Sequence, residues 1–401
     1  MEIRADLHIH SKYARATSPL MDLEHLDEFG KKKGLNVIAT GDFTHPKWFK
    51  EIETKLVEDK GLYKLKNINT GLRFILSTEI SSIFRKNNKC YRSHNLILFS
   101  NIDSVRNFNK NLIDLKCNLN ADGRPIVGLE PKKLLEIAME CDKKFMFIPA
   151  HIWTPWFSLF GSKSGFDNLE DCFEEFTPFI HTCETGISSD IIMNRRVKQL
   201  DNINLISNSD CHSLEKLGRE CNVFDCDLSY DGIYNILNTS NSNKFLYTIE
   251  FYPEEGRYHY DGHRNCKICL SPEETRKNNG LCPKCGKPLI VGVLNRVEQL
   301  SSRSEKEVLK FNKNNFKYII PLREIISQMF GVGVNSLKVI NFYDKLLEKF
   351  SNELDILLKV DYEDFVKNDF EIIGKLICKM RLGEVDKTPG YDGDYGVINI
   401  K

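Results

Sequence analysis

Asp6-Leu7-His8-Ile9-His10 opens the chain with two histidines two residues apart, inside a short apolar run that reads as a β-strand. Residues two apart on a strand point to the same side, so His8 and His10 can hold one ion together. The chain holds only 10 histidines in 401 residues, and five of them fall in one series of candidate ligands. That series runs from His8 and His10 through Asp42, Glu79, His94 and His151 to Asp210-Cys211-His212.

The spacing of the series follows the spacing of the strands. Candidate strands are Ile3–Leu7, Asn36–Thr40, Phe74–Thr78, Asn95–Phe99, Lys144–Pro149, His181–Cys183 and Ile203–Ser207, with helical patterns such as Leu23–Lys33 and Pro131–Glu140 between them. Alternating β and α elements predict an α/β barrel or a doubly wound sheet. Asp42, Glu79, His151, Glu184 and Asp210 each follow a strand, the end at which α/β barrels collect their chemistry. His94 precedes its strand. An antiparallel turn through Ile83–Ser93 would bring it beside Glu79.

Mixed histidine and carboxylate donors suit zinc, manganese or iron better than calcium. Two or three such ions about 3.5–4 Å apart can activate water and stabilise charge on a phosphoryl group. The expectation is therefore a phosphoesterase whose firmest catalytic residues are His8, His10, Glu79 and Asp210, with Glu79 as the bridging carboxylate.

A second unit begins near residue 256. Cys266-Lys-Ile-Cys269 is followed twelve residues later by Cys282-Pro-Lys-Cys285-Gly. Two C-x-x-C knuckles predict a four-cysteine zinc site, structural because four thiolates leave no open position. The expected division is 1–255 for the metallo-hydrolase barrel, 256–294 for the four-cysteine zinc-binding module and 295–401 for a C-terminal helical domain. Gly331-Val-Gly-Val-Asn-Ser336 reads as a turn between two of its helices.

Composition bounds the class. Hydrophobic content of 41%, charged content of 28% and zero formal net charge fit a soluble globular chain. No apolar run approaches the ~20 residues that span a bilayer, so no membrane role is expected. Thirteen cysteines in a chain of this length, opening without a signal-peptide pattern, point to reduced thiols and metal binding.

Candidate DNA contacts are the basic hairpin Arg85-Lys-Asn-Asn-Lys89-Cys-Tyr-Arg92, which is equally a solvated turn, together with Lys12 and Arg15. Trp153 and Trp156 can stack on a base or cap a barrel core. Arg195 is a weaker candidate, on a helix that could simply expose it.

These residues carry a resemblance. Asp6-Leu-His-Ile-His10, Glu79, His94, His151 and Asp210-Cys-His212 resemble the motifs of the polymerase-and-histidinol-phosphatase (PHP) superfamily of distorted seven-stranded β/α barrels with up to three metals. Over nearly the whole chain, Ala39-Thr-Gly-Asp42-Phe-Thr-His45-Pro-Lys-Trp48, Pro149-Ala-His151-Ile-Trp-Thr-Pro-Trp156, Glu184-Thr-Gly-Ile-Ser-Ser-Asp190 and Tyr258-His-Tyr-Asp-Gly-His263-Arg-Asn-Cys266 are similar to endonuclease Q. The resemblance implies a distorted (β/α)7 PHP barrel followed by the zinc module and helical tail. It also implies a DNA-repair endonuclease that nicks duplex DNA 5′ to uracil, hypoxanthine, xanthine or an abasic site, with the lesion flipped out.

The partner is then double-stranded DNA carrying such a lesion, in the cytoplasm at the nucleoid. A sliding clamp is a further conceivable partner, though no clear motif for one is present. Cofactors are the structural zinc and two or three zinc, manganese or magnesium ions. The chain departs from the superfamily in lacking a histidine soon after His10 and in reading Gly-Asp42-Phe43 at the second motif. Asp42, with His45 beside it, is the expected substitute ligand. A small-molecule phosphoesterase explains 1–250 but not the rest, and a DNA-binding module with an inactive barrel leaves the ligand series unexplained.

Overall fold

The structure is a computed structural model and describes residues 1–68, 70–310 and 315–401. All seven expected strands form: β1 (Glu2–Asp6), β2 (Val37–Ala39), β3 (Arg73–Lys86), β4 (Lys89–Phe99), β5 (Met146–Pro149), β6 (Thr182–Glu184) and β7 (Asn204–Ile206). β1, β2 and β3 run parallel, β4 turns back between β3 and β5, and β6 pairs with β7 as a separate parallel sheet. Links beyond the strand ends draw this wall together. Ile152 N–H donates to Glu184 O at 3.0 Å, and Asp210 N–H donates to His8 O at 2.9 Å.

The β3–β4 hairpin is longer than the sequence suggests. Instead of a loop over Ile83–Ser93, the strands continue to Lys86 and resume at Lys89. Asn87 and Asn88 alone make the turn, at φ 51° and 62°, the left-handed pair that a two-residue hairpin demands and asparagine tolerates. His94 pairs with Ser81 and Leu96 with Glu79. Glu79 and His94 are thus diagonal neighbours on one face.

The helix Leu23–Lys33 forms at its expected bounds. Asp22 caps it, accepting from His25 N–H, and Gly34 at φ 86° closes it after three lysines in the last turn. Three further strands extend the sheet beyond β1: Cys221–Asp225, then Phe245–Glu250, then Phe316–Tyr318. The last comes from the C-terminal region, which thus contributes a strand to the same large sheet.

In the cysteine-rich segment that follows, the strands Asp261–His263 and Ile268–Leu270 form a hairpin ahead of the helix Pro272–Lys277. Beyond it lie the helices Leu322–Phe330 and Leu337–Phe350, joined by the expected turn with Gly331 at φ 64°, then three further helices. A hairpin of Val385–Thr388 with Val397–Ile400 follows them. A buried ion pair docks this tail. Lys33 Nζ lies 2.6 Å from Glu353 Oε2, and Tyr343 donates to the same carboxylate at 2.8 Å. Among the described residues, no helix is long and apolar enough to cross a membrane.

Candidate metal centre and DNA cleft

The opening H-x-H motif lies at the end of β1 with both rings fully buried. His8 Nε2 is 3.5 Å from Glu79 Oε2 and 3.8 Å from Asp210 Oδ1. His10 Nε2 is 3.2 Å and 3.1 Å from the same two oxygens. His8, His10, Glu79 and Asp210 therefore form one four-donor set. The other oxygen of Glu79 faces a second set, 2.8 Å from His94 Nδ1 and 3.1 Å from His151 Nε2. One carboxylate stands between two donor sets, the geometry of a bridging ligand.

His8 Nε2, His10 Nε2 and Asp210 Oδ1 are buried with no hydrogen-bond partner. Buried polar atoms are ordinarily satisfied, so three that converge without partners fit a cation. The electrostatics agree. Burial opposes protonation of His8, yet the charges of Glu184, Glu79 and Asp210 hold it well above the usual histidine range. Burial likewise opposes ionisation of Glu79, but His94, Arg124 and His8 keep it well below the carboxylate range. Burial pushes His94 down to about 4, leaving its ring neutral and able to ligate. The centre draws positive charge, and divalent ions at these two sets would satisfy it.

Both H-x-H rings are held from behind. His8 Nδ1 lies 3.0 Å from each oxygen of Glu184, which also accepts from His151 N–H at 2.9 Å and Asn208 Nδ2 at 2.8 Å. His10 Nδ1 lies 3.0 Å from Asp42 Oδ1, and Ser11 N–H donates to Asp42 Oδ2 at 2.6 Å. A carboxylate on Nδ1 sets the tautomer that frees Nε2 and raises its basicity. Asp42, expected as a ligand, instead turns one oxygen to His10 Nδ1 and the other to Ser11 N–H.

His45 stacks on Tyr13 at 4.5 Å and joins neither donor set. His212 also stays outside both, with Nδ1 3.0 Å from Asp210 O and its ring against His10. Asp42, His151 and Asp210 turn at φ 49°, 30° and 44°. Left-handed backbone at non-glycine residues costs on the order of 1 kcal/mol each or more, strain of the kind that gathers at functional sites.

The centre floors a cleft of about 850 Å³. Its walls come from the loop carrying Trp156 and Phe157, from Arg257 and Tyr258 ahead of the Asp261–Leu270 hairpin, and from Tyr395 near the C-terminus. Of the expected DNA contacts, Arg92 and Trp156 line it. Arg15, Arg85 and Lys89 are exposed outside its lining, and Lys12 is paired with Glu51 at 3.0 Å.

Trp153 and Arg195 are corrected. Trp153 is 1% exposed, packs on Phe160 and donates to Asn194 Oδ1 at 2.7 Å, so it is core. Arg195 is buried, its guanidinium donating to Leu200 O. Arg124, Lys216, Arg219 and Arg257 line the cleft and escaped the sequence reading, because isolated basic residues in loops carry no spacing signal.

The cysteine-rich segment brings together His263, Cys266, Cys282 and Cys285, a group that could hold a metal ion, with His263 Nδ1 3.4 Å from Cys285 Sγ. Cys269, expected as the fourth ligand, sits in the hairpin opposite Gly262, with Sγ 4.0 Å from Pro389 O. The set is three cysteines and one histidine, still closed and tetrahedral in kind.

Two donor sets sharing a carboxylate at the strand ends of a β/α wall define a metallo-hydrolase. A family model described as the MJ0043 C-terminal domain matches residues 321–384. The protein MJ0043 of Methanocaldococcus jannaschii is 33% identical over 254 residues, covering 62% of this chain but only 31% of that protein, so the chain spans about a third of its length. YqxK of Bacillus subtilis is 27% identical over 99% of both chains.

The crystal structure of PfuEndoQ, a lesion-specific endonuclease from Pyrococcus furiosus, superposes with a TM-score of 0.87 at 30% identity over 100% of this chain and 96% of that one. An endonuclease Q complex with a 27-mer duplex bearing an abasic lesion at the active site gives 0.87 at 29% identity, over 100% and 97%. The class is that of the metal-dependent endonucleases, and the chain belongs to the endonuclease Q family.

Proposed function

We propose that this protein is a DNA-repair endonuclease that nicks duplex DNA 5′ to deaminated bases (uracil, hypoxanthine or xanthine) and abasic sites. The observation that carries the reading is the pair of donor sets sharing Glu79 at the floor of a cleft walled by three parts of the chain. His8, His10, Glu79 and Asp210 would hold one divalent ion, and Glu79, His94 and His151 another. Such ions supply Lewis-acid charge to a phosphoryl group and acidify water.

The remaining residues prepare the substrate. Lys216, Arg219, Arg92 and Arg257 give the cleft a positive rim for the backbone. Trp156 and Tyr258, packed edge to face with ring centroids 6.0 Å apart, offer one apolar wall to a nucleotide swung out of the stack. Deaminated and abasic positions pair weakly and are cheaper to extrude, which biases the cleft toward them. The site of action is the cytoplasm, at the nucleoid.

The test is nicking of duplexes carrying one uracil, one hypoxanthine or one abasic site. Cleavage 5′ to each lesion, abolished by chelation and by Asp210→Asn, is expected. Equal cutting of lesion-free duplex, or cutting of none, overturns the assignment.

A further inference from the structure

Arg124 takes no part in the substrate contacts proposed above, yet it reaches into the centre of the site. Its Nη1 lies 3.1 Å from Glu79 Oε2, the oxygen that also faces His8 and His10. Among the described residues it is the one arginine or lysine in an ion pair with a donor carboxylate of the centre.

The chain is built to put it there. Gly123 passes so close to the site that an added Cβ would meet Asp42 Oδ2 at 2.5 Å and Ala14 N at 2.8 Å. Gly123 N–H donates to Tyr13 O at 2.9 Å, and Asp122 Oδ1 accepts from Arg124 N–H at 3.2 Å and from Arg15 N–H at 3.0 Å. The segment Asp122-Gly123-Arg124 is therefore pinned against the residues that orient His10. The side chain is only 27% exposed, and what is exposed lines the cleft beside His94, His151 and Asp210.

A guanidinium carries five N–H donors in a rigid fork suited to phosphate oxygens. One points at Glu79, and the cleft-facing side retains others. Two bound divalent ions against the charges of Glu79 and Asp210 already leave the centre positive. A counter-ion for Glu79 alone would be redundant once ions are bound, whereas a cation facing a phosphodiester would not.

We propose that Arg124 is a catalytic residue that grips a non-bridging oxygen of the scissile phosphate and stabilises the charge gathering there; this rests on the function proposed above. In the hydrolysis, the water oxygen bonds to phosphorus as one P–O ester bond breaks. One water proton goes to the leaving oxygen and the other to solvent. Arg124 exchanges no proton and acts by fixed charge.

The test compares wild type, Arg124→Met and Arg124→Lys as metal-loaded full-length protein on a duplex with one abasic site. Arg124→Met should lower the single-turnover rate on the order of 10²–10³-fold, with DNA affinity changed only a few-fold. Bound metal per chain and melting temperature should match wild type, and Arg124→Lys should recover part of the rate. With a stereopure phosphorothioate at the scissile position, wild type should be slowed by sulfur at the oxygen facing Arg124, and Arg124→Met should lose that stereoselectivity.

An unchanged rate in Arg124→Met overturns the inference. So does a rate loss accompanied by loss of bound metal, which would make Arg124 a support for Glu79. A wild type that nicks these duplexes while Arg124→Met nicks equally well sinks this inference alone. A wild type that nicks none of them sinks the proposed function with it.

Discussion

The chain has two regions of candidate metal ligands, built on opposite plans. At the barrel centre His8, His10 and Glu79 are at most 1% exposed, and each histidine is backed by a carboxylate that itself accepts further hydrogen bonds. In the zinc module, Cys282 is buried but His263 and Cys266 are partly open and Cys285 is exposed. Cys282 and Leu289 are buried apart from the main apolar core, which Val293 joins. The first site is enclosed by the fold, whereas the second lies nearer the surface. Metal binding should accordingly mean chemistry in one region and folding in the other.

The largest contrast is expected from removing one ligand on each side. Glu79→Gln weakens both donor sets together, so nicking should fall below detection while the melting temperature and circular dichroism stay native. Cys282→Ser should release zinc and expose the module to limited proteolysis near residues 264–290, with the barrel still protected. A barrel that melts on Glu79→Gln, or a module that resists protease without zinc, breaks the contrast.

Within the module, His263→Ala should lose zinc while Cys269→Ser keeps one zinc per chain, measured by mass spectrometry of the native protein. The reverse pattern would restore the four-cysteine reading. Within the barrel, Glu184→Gln and Asp42→Asn should each lower metal affinity by roughly 10–100-fold without abolishing activity at saturating metal. An all-or-none loss from Asp42→Asn would make it a ligand after all.

The smallest expected effect concerns pH. Burial, reinforced by the charge of Asp190, raises Glu250 to about 8 from its ordinary 4.5. It accepts from Ser207 Oγ at 2.9 Å, and Asn222 links Ser207 to the Asn208–Glu184 network behind His8. Between these two values the folded chain keeps a proton that the unfolded chain has lost. Stability should therefore fall as pH rises from about 4.5 to about 8 and level off above. Chemical denaturation across that range should show the decline in wild type and a flatter profile in Glu250→Gln. Parallel profiles would refute the assignment.

His8, His10 and Asp210 were legible because period-two spacing and strand ends are local signals. Glu79 and His94 were paired correctly, but through a loop that turned out to be strand, since Asn87-Asn88 can make a tight turn that composition alone does not demand. Asp42 and Glu184 have the chemistry of ligands, and only geometry shows that their oxygens face Nδ1 of the histidines. Trp153 and Arg195 failed because local sequence does not say which side of a loop meets the core. His263 was quoted beside the knuckle but passed over for Cys269, whose C-x-x-C spacing matches a zinc knuckle although the hairpin turns it away. The strands Cys221–Asp225, Phe245–Glu250 and Phe316–Tyr318 depend on pairing across distant segments, which no short window encodes.

The most direct test of the bridged centre is anomalous diffraction from crystals of the metal-reconstituted protein. The geometry predicts one peak among His8, His10, Glu79 and Asp210, a second among Glu79, His94 and His151, and a third among His263, Cys266, Cys282 and Cys285. A single peak at the zinc module, with none flanking Glu79, would contradict it.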